Sequence, residues 1–366
     1  MERVGLVGLP NSGKTSLFNA LTRSSALAAP HMFSTTETTV GVAQVPDSRL
    51  EALGRMSASQ KVVHAGVEIV DIAGLVEGSS TGEGLGNRFL AGIREMDALC
   101  YVLRGFEDPL VPGYEEPATA LSVLELELVM ADIGSLEGQL ARKRKQVRGG
   151  QAAPADLETM QQAMDLLQAG VPLYRAALSE HHREALKEYF LLTSKPVLVV
   201  VNVGEDAGDR GTDLAARIAS EIGGSAEVLA TSVKLEAEAA GLDPEEAAEM
   251  LEGLGLGEGA LARVARAACQ LLGRRTFLTT GEKESRAWTF KAGAKAPECA
   301  GVIHSDLQRG FIRAEVIHWD ELLELGSWSA AKASGKLRLE GKDYEVQDGD
   351  VLEIRFNVTG RPARRS

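Results

Sequence analysis

The sequence has few cysteines, which limits the kinds of site and compartment to be considered. Three cysteines, Cys100, Cys269 and Cys299, occur among 366 residues and lie far apart in the chain. An odd and scattered set of cysteines predicts neither a disulfide framework nor a zinc site. It also favours a reducing compartment, where thiols persist.

Long apolar runs are missing as well. The run Val197–Val201 is purely apolar but far shorter than the roughly 20 residues that a membrane-spanning helix needs. The apolar segment Arg3–Val7 begins so early that a signal peptide has no room before it. We therefore expect a cytoplasmic protein that has no membrane partner.

The chain lacks an excess of positive charge. Its formal net charge is −13, from 39 basic and 52 acidic residues. From Leu278 to the end, 14 basic and 14 acidic side chains balance, so the first 277 residues carry the whole excess. Contact with RNA, if it occurs, must therefore be local, through small basic patches.

A phosphate-binding loop is the strongest motif present. Gly8–Thr15 fits the pattern G-x-x-x-x-G-K-[ST] and lies between a strand-like run, Arg3–Val7, and a helical run, Ser16–Leu21. This order of elements directs backbone N–H groups and the positive end of the helix dipole at one point, where a phosphate binds. Lys14 is expected to reach the β- and γ-phosphates. The residues expected to bind the nucleotide here are Asn11, Ser12, Gly13, Lys14, Thr15 and Ser16.

A magnesium site is predicted beside this loop. The Thr15 hydroxyl is expected to ligate Mg²⁺, and Asp71, after the apolar run 66–70, to hold it through water. The backbone N–H of Gly74 is expected to approach the γ-phosphate. Residues 33–39 are rich in threonine and suit a switch loop in which Thr35 closes over Mg²⁺; a loop without any ligand is the alternative. The candidate catalytic residues are Lys14, Thr35 and Gly74, and the candidate metal ligands are Thr15, Thr35 and Asp71.

The order of apolar runs predicts an α/β fold with a mostly parallel sheet of the P-loop G-domain type. Leucines at helical spacing and the absence of strand patterns between 117 and 192 predict an antiparallel coiled coil inserted in it. Short β-type segments after residue 276, among them Val302–Ser305, predict a small C-terminal α+β domain. The expected domains are 1–116 with 193–277, then 117–192, then 278–366.

The loop expected to read the base departs from the guanine-binding pattern. Asn202-Val203-Gly204-Glu205 occupies the place where GTPases usually have N-K-x-D. Valine cannot pack a cationic stem over a purine, and glutamate cannot keep the bidentate geometry of the shorter aspartate. An unpaired guanine edge costs about 1–3 kcal/mol per lost partner, which is enough to reverse a base preference. With the next expected nucleotide loop, the candidate base-site residues are Asn202, Val203, Glu205, Ser232, Val233 and Lys234.

These motifs together resemble the Obg-like ATPases, called YchF in bacteria, and the resemblance covers essentially the whole chain. The matching segments are Gly8–Thr15, Phe33 with Thr35, Val45–Leu50 (V-P-D-x-R-L), Asp71–Leu75 (D-I-A-G-L), Asn202–Glu205 (N-x-x-E) and Gly281–Val358. The last of these resembles a TGS domain. The resemblance implies hydrolysis of ATP rather than GTP, and association with ribosomes, either the large subunit or the 70S particle.

The resemblance also bears on mechanism and partners. Leu75 stands where Ras-like proteins have the glutamine that orients the attacking water, so hydrolysis should be slow. Asn11 is a candidate to help coordinate K⁺, as in related GTPases with this asparagine. Basic residues of the coiled coil, Arg142–Lys145 with Arg148, and those of the TGS-like domain are candidate contacts to rRNA or tRNA.

We expect a monomeric, Mg²⁺-dependent ATPase that acts as a switch. The alternatives are an Obg-type translational GTPase and a mainly non-catalytic adaptor that binds RNA or the ribosome.

Overall fold

The computed structural model describes residues 2–23, 38–72, 85–108, 115–151, 153–254 and 256–357. The chain divides into two compact units. The first comprises Met1–Ala43 and Val67–Leu272, and the second comprises Gln44–Gly66 and Gly273–Ser366. Thr35 and Gly74, two of the predicted catalytic residues, lie outside the described residues, as do Phe33 and Leu75.

The elements alternate along the first part of the chain and become strand-rich near its end. The strands are β1 (Arg3–Val7), β2 (Thr38–Val45), β3 (Val62–Val63), β4 (Ala65–Ile72), β5 (Ala98–Gly105), β6 (Val197–Val203), β7 (Glu227–Thr231), β8 (Arg274–Thr279), β9 (Ser285–Lys291), β10 (Phe311–His318), β11 (Arg338–Glu340) and β12 (Asp350–Phe356). The helices are α1 (Lys14–Arg23), α2 (Ser48–Met56), α3 (Leu85–Arg94), α4 (Pro117–Arg148), α5 (Pro154–Gln168), α6 (Glu180–Leu186), α7 (Asp209–Glu221), α8 (Val233–Ala239), α9 (Pro244–Gly253), α10 (Ala260–Leu271), α11 (Ala296–Ile303), α12 (Ser305–Arg309), α13 (Trp319–Leu325) and α14 (Trp328–Ala333).

The first unit is built on a sheet with the strand order β2-β4-β1-β5-β6-β7. The pairs β4–β1, β1–β5, β5–β6 and β6–β7 are all parallel. In β6 every residue from Val197 to Val203 is buried, which is typical of a parallel strand covered on both faces. The predicted α/β fold with a parallel-rich sheet is confirmed. Since the paired strands run the same way, the carboxyl ends of β1, β4, β6 and β7 lie at one edge of the sheet.

The inserted helices are anchored in the core of this unit. The first half of α4 buries Leu121, Leu124 and Leu128 in the same apolar cluster as Tyr101 and Val199 of the sheet. Helix α4 therefore begins as a cover for the sheet, and only its later part extends beyond these contacts.

The second half of α4 packs against α5, which runs back along it. Leu136 and Leu140 of α4 share a buried cluster with Met160 and Met164 of α5, and Lys143 Nζ lies 3.2 Å from a carboxylate oxygen of Asp156. The predicted antiparallel pair is therefore present. It is unequal in length, because α4 has 32 residues and α5 has 15.

The second unit contains a mixed sheet with the order β11-β10-β12-β8-β9-β3. Its core includes Phe277, Phe290, Phe311, Val316 and Leu352, and α11 adds Ala296, Cys299 and Ala300 to the same cluster. Most neighbouring strands are antiparallel, whereas β12–β8 and β3–β9 are parallel. This unit has the predicted α+β character.

The segment Gln44–Gly66 belongs to the second unit, although the predicted boundaries placed it in the nucleotide-binding domain. The N–H of Gln60 donates to the carbonyl of Glu282, and the N–H of Ser285 donates to the carbonyl of Lys61, each at 2.9 Å. Ser59 Oγ lies 2.8 Å from Ser285 Oγ. Main-chain pairing of this kind holds β3 at the edge of the second sheet.

The motif V-P-D-x-R-L (Val45–Leu50) also connects the segment Gln44–Gly66 to the rest of the second unit. Asp47 caps the N-terminus of α2 by accepting a hydrogen bond from the N–H of Arg49. The Arg49 guanidinium contacts Asp47 and also, at 2.7 Å, Asp348. These contacts hold the pKa of the Asp47 carboxyl below its usual value, although burial opposes the shift.

One predicted strand is wrong. Val302 and Ile303 end helix α11, and Ser305 begins α12. Lys295 precedes α11 as its N-cap, and the Glu298 carboxylate accepts a hydrogen bond from the Lys295 N–H, which caps the start of the helix. A short apolar run is ambiguous between strand and helix, and here the cap decides.

Two other expectations can be compared with the described residues. The three cysteines are buried and form no disulfide. In the described part of the chain, none of the helices has the length and apolar character needed to cross a membrane.

Candidate nucleotide-binding site

The loop between β1 and α1 has the backbone conformation that its glycines allow. Gly13 has φ +96°, and a Cβ there would lie 2.3 Å from Asn202 Nδ2. A Cβ on Gly8 would lie 2.4 Å from the carbonyl oxygen of Val102. Asn11 also has a positive φ of 60°, a conformation that asparagine tolerates better than most residues. Gly8 is therefore required by the close approach of the β5 backbone, and Gly13 by its positive φ and the Asn202 side chain.

Lys14 points back over this loop. Its side chain is only 7% exposed, and its Nζ donates hydrogen bonds to the carbonyl oxygens of Gly8 at 3.1 Å and Leu9 at 2.9 Å. Burial lowers the pKa of the Lys14 ammonium, and the charge of Asp71 opposes that shift. The loop thus contains a desolvated cation, which is placed to attract a phosphate.

Thr15 and Asp71 meet at the edge of the sheet. Thr15 Oγ1 donates a hydrogen bond of 2.7 Å to Asp71 Oδ2. The structure therefore brings together two of the three predicted magnesium ligands, from α1 and β4. A hydroxyl and a carboxylate are hard oxygen donors of the kind that Mg²⁺ binds, usually together with water and substrate phosphates. Among the described residues, no group of three His, Cys, Asp or Glu side chains is placed to hold a metal ion.

Asn202 braces two loops of the site. It is 6% exposed; its Nδ2 donates to the carbonyl of Ser12 at 3.1 Å, and its Oδ1 accepts the N–H of Val233 at 3.1 Å. The amide therefore uses its donor on the phosphate-binding loop and its acceptor on the first turn of α8. Sequence reasoning identified Asn202 as a nucleotide contact and missed this bracing role.

Val203 and Glu205 lie in different surroundings. The Val203 side chain is 9% exposed and belongs to the core cluster of the first unit, so little of it is available for contact with a nucleotide. The Glu205 carboxylate forms an ion pair with Lys234, and their side chains are 46% and 69% exposed. The signal for this pair in the sequence is the opposite charges that follow two adjacent parallel strands.

Two buried hydroxyls in the site have no hydrogen-bond partner among the described residues: Ser12 Oγ and Ser232 Oγ. Ser12 is 2% exposed and Ser232 is 8% exposed. Buried polar atoms normally find partners, and an unsatisfied one costs about 1–3 kcal/mol. These two hydroxyls on the two loops that Asn202 joins are consistent with a polar ligand. Ser16, the last predicted phosphate-loop residue, is exposed at the start of α1.

Comparison with known proteins matches both parts of the chain. Residues 3–129 match the family described as 50S ribosome-binding GTPase. Residues 275–357 match the YchF-GTPase C-terminal family, described as a protein of unknown function.

Full-length relatives are similar throughout. The chain is 44% identical over 361 residues to the ribosome-binding ATPase YchF of Bacillus subtilis, covering 97% of this chain and 99% of that protein. It is 43% identical over 362 residues to the protein of the same name from Haemophilus influenzae, with the same coverage. Among solved structures, the YchF GTPase of Schizosaccharomyces pombe superimposes with a TM-score of 0.84 at 29% identity, over 97% of each chain.

Proposed function

The chain belongs to the YchF family, and from this premise we propose that it is a slow, Mg²⁺-dependent ATPase that acts as a switch on the ribosome. The proposal includes a preference for ATP over GTP. It also assigns the nucleotide to the edge of the first sheet, between the phosphate-binding loop and the first turn of α8.

The state of the base-reading loop is the observation that supports ATP preference most directly. Val203 is part of the core, and Glu205 is engaged by Lys234. Guanine recognition in GTPases uses a lysine stem over the purine and an aspartate that accepts two hydrogen bonds. Neither feature is offered by this loop, so the selectivity for guanine should be lost.

The phosphate side of the site supports hydrolysis. Lys14 would exchange its bonds to the Gly8 and Leu9 carbonyls for bonds to the β- and γ-phosphates. Thr15 and Asp71 would hold Mg²⁺, which neutralises the charge that develops on the phosphates. Thr35 and Gly74 are proposed to complete the site from the two segments on either side of Asp71.

The residue at position 75 supports slow turnover. Leu75 cannot donate or accept a hydrogen bond through its side chain, so it cannot align the attacking water as a glutamine does. Positioning and charge stabilisation by Lys14 and the metal remain. Asn11 in the phosphate-binding loop is proposed to help coordinate K⁺, which would add positive charge at the transferred phosphate.

The relatives named as ribosome-binding ATPases support a ribosomal partner, and the tip of α4 offers a surface for it. Arg142, Lys145 and Arg148 are exposed there, and so is Arg144, which donates a hydrogen bond to Gln161 of α5. Lys143 differs from them, because it is only 14% exposed and is paired with Asp156 and Glu188. We propose that Arg142, Lys145 and Arg148 contact RNA phosphates, while Arg144 and Lys143 tie α4 to its neighbours.

The second unit offers another exposed arginine. Arg309 pairs with Asp306, whereas Arg313 is exposed on β10. The arginines of the C-terminal tail, Arg361, Arg364 and Arg365, lie outside the described residues. We propose that this TGS-like unit contributes a secondary contact to rRNA or tRNA.

Multiple-turnover hydrolysis with equal concentrations of ATP and GTP tests the proposal. We expect release of phosphate from ATP to exceed release from GTP, to require Mg²⁺, and to fall when K⁺ is replaced by Na⁺. A preference for GTP would select a conventional translational GTPase. Ribosome binding that ignores the nucleotide, together with no hydrolysis of either nucleotide, would select an adaptor.

A further inference from the structure

A charged pair joins the two loops at the base side of the site. Glu205 follows β6, and Lys234 lies in the first turn of α8; the Lys234 ammonium contacts Glu205 Oε1. The hydrogen bond to Glu205 is the main reason that the pKa of Lys234 is raised. Because both side chains are substantially exposed, a ligand at this edge would meet them rather than the buried side chain of Val203.

Hydrogen bonds to two other side chains, those of Asn202 and Glu236, hold the backbone around this pair. The Asn202 amide accepts the N–H of Val233, the residue before Lys234. The buried Glu236 carboxylate, one turn or less further along α8, accepts hydrogen bonds from the N–H groups of Ala260 and Leu261 at the start of α10. The first turn of α8 is therefore fixed from both sides, and Lys234 is presented to Glu205 by a rigid backbone.

We propose that Lys234 is a specificity-determining residue: by engaging the Glu205 carboxylate, it weakens the binding of guanine nucleotides relative to adenine nucleotides. This inference rests on the proposed function, because it takes the loop Asn202–Glu205 as the segment that reads the base.

The hydrogen-bonding edges of the two purines explain the direction. Guanine presents two adjacent donors, N1–H and the N2 amino group, which together suit a carboxylate with both oxygens available. Lys234 contacts one of these oxygens, so its positively charged ammonium would lie beside the two donors of a bound guanine. Adenine presents one amino donor next to an acceptor, N1, and so conflicts less with an ammonium group. The Lys234 ammonium thus disfavours guanine directly, in addition to the absence of the lysine and aspartate that bind guanine in GTPases.

Nucleoside diphosphate binding measures this effect without hydrolysis. Titration calorimetry with ADP and with GDP gives the ratio of the two dissociation constants for the wild type, Lys234→Met and Lys234→Arg. Methionine keeps most of the aliphatic stem and removes the charge, whereas arginine keeps the charge. Lys336→Met is the matched control, because Lys336 is also exposed and also pairs with a glutamate, Glu321, in the second unit.

We expect Lys234→Met to improve GDP binding relative to ADP by about threefold to fivefold, the upper part of the range of an exposed ion pair. Lys234→Arg and Lys336→Met should keep the wild-type ratio. In a Glu205→Gln background, Lys234→Met should have no further effect on the ratio, because the carboxylate through which it acts is gone.

Two results would overturn the inference. One is a ratio for Lys234→Met within twofold of the wild type. The other is an equal shift in the Glu205→Gln background, which would mean that Lys234 acts on the nucleotide independently of Glu205. A wild type that binds GDP as tightly as ADP would instead contradict the proposed ATP preference, and an improvement of GDP binding in Lys234→Met would still support the role of Lys234.

Discussion

Thr15 and Asp71 are 56 residues apart in the sequence, and Thr15 Oγ1 donates a hydrogen bond of 2.7 Å to Asp71 Oδ2. The contact links the first turn of α1 to the end of β4, on neighbouring parallel strands β1 and β4. A triphosphate that brings Mg²⁺ to these two oxygens would therefore link the phosphate-binding loop to the end of β4.

Lys14→Ala should abolish hydrolysis while leaving the fold intact. The variant cannot form charge-assisted hydrogen bonds to the triphosphate, and their loss should weaken binding by about 1.5–3 kcal/mol, or roughly 10- to 150-fold. Phosphate release, nucleotide titration and circular dichroism measure the three quantities.

Lys195→Ala is a matched control for Lys14→Ala. Lys195 also donates to two backbone carbonyls, those of Arg94 and Met96, and burial also lowers its pKa. It precedes β6 and so lies at the opposite end of the strands from the phosphate-binding loop. This variant should retain nucleotide binding; full turnover by Lys14→Ala would show that the nucleotide site has been misplaced.

The isolated fragment 273–366 should fold poorly by itself. It lacks β3 and α2, which leaves the edge of β9 uncovered and the main-chain groups of Glu282 and Ser285 without the partners that Gln60 and Lys61 supply. Adding residues 44–66 through a flexible linker should restore the structure. Near-ultraviolet circular dichroism of Trp288, Trp319 and Trp328 reports the packing, and a native-like spectrum of the short fragment would refute the expectation.

The amount of the fold that can be predicted depends on whether its signal is local. The phosphate-binding loop was predictable because Gly8, Gly13 and Lys14 each meet a steric or charge requirement within eight residues. The meeting of Thr15 and Asp71 followed from parallel strands that end at one edge. The pairing of β3 with β9 could not be predicted in this way, because it rests on main-chain hydrogen bonds and on a strand of two residues.

Two other features, the segment Val302–Ser305 and the burial of Val203, depend on more than their local apolar pattern. Val302–Ser305 is apolar enough to suggest a strand, although Pro297 and Glu298 are the helix-start residues that define α11. The burial of Val203 required knowledge of the packing of α7, since Gly211 on that helix lies against it. The sequence therefore shows that valine replaces the usual lysine at this position. The burial of its side chain could not be predicted, because it depends on tertiary packing.

Reversing three exposed basic residues at the end of α4 should weaken association with ribosomes. In the variant Arg142→Glu/Lys145→Glu/Arg148→Glu, each lost phosphate contact should reduce the slope of log affinity against log salt by roughly 0.7–0.9. Co-sedimentation with ribosomes over a salt series measures this slope, and the affinity for ATP should not change.

The control for this variant reverses three exposed basic residues elsewhere in the same unit: Lys187, Arg210 and Arg217. The change in net charge is the same, so a general electrostatic effect would appear in both proteins. Unaltered pelleting of the α4 variant at every salt concentration would leave α4 as a structural element only.

Glu236 should make the first unit less stable as the pH rises. Burial raises the pKa of this carboxyl above its ordinary value of 4.5. Between 4.5 and the raised pKa the folded protein binds more protons than the unfolded protein, so the free energy of unfolding falls through that window. Each unit of elevation corresponds to about 1.4 kcal/mol.

Urea unfolding at a series of pH values tests this dependence in the wild type and in Glu236→Gln. The stability of the wild type relative to the variant should decline as the pH rises above 4.5. Glu238→Gln, an exposed neighbour on the same helix, should follow the wild type. Parallel curves for the wild type and Glu236→Gln would contradict the assignment.

Titration calorimetry of the wild-type protein with ATP and with GTP, at equal Mg²⁺ and under conditions that prevent turnover, tests the central claim most directly. The core position of Val203 and the engagement of Glu205 by Lys234 predict that ATP binds more tightly than GTP. Tighter binding of GTP would contradict the account of the base-reading loop, and with it the proposed function.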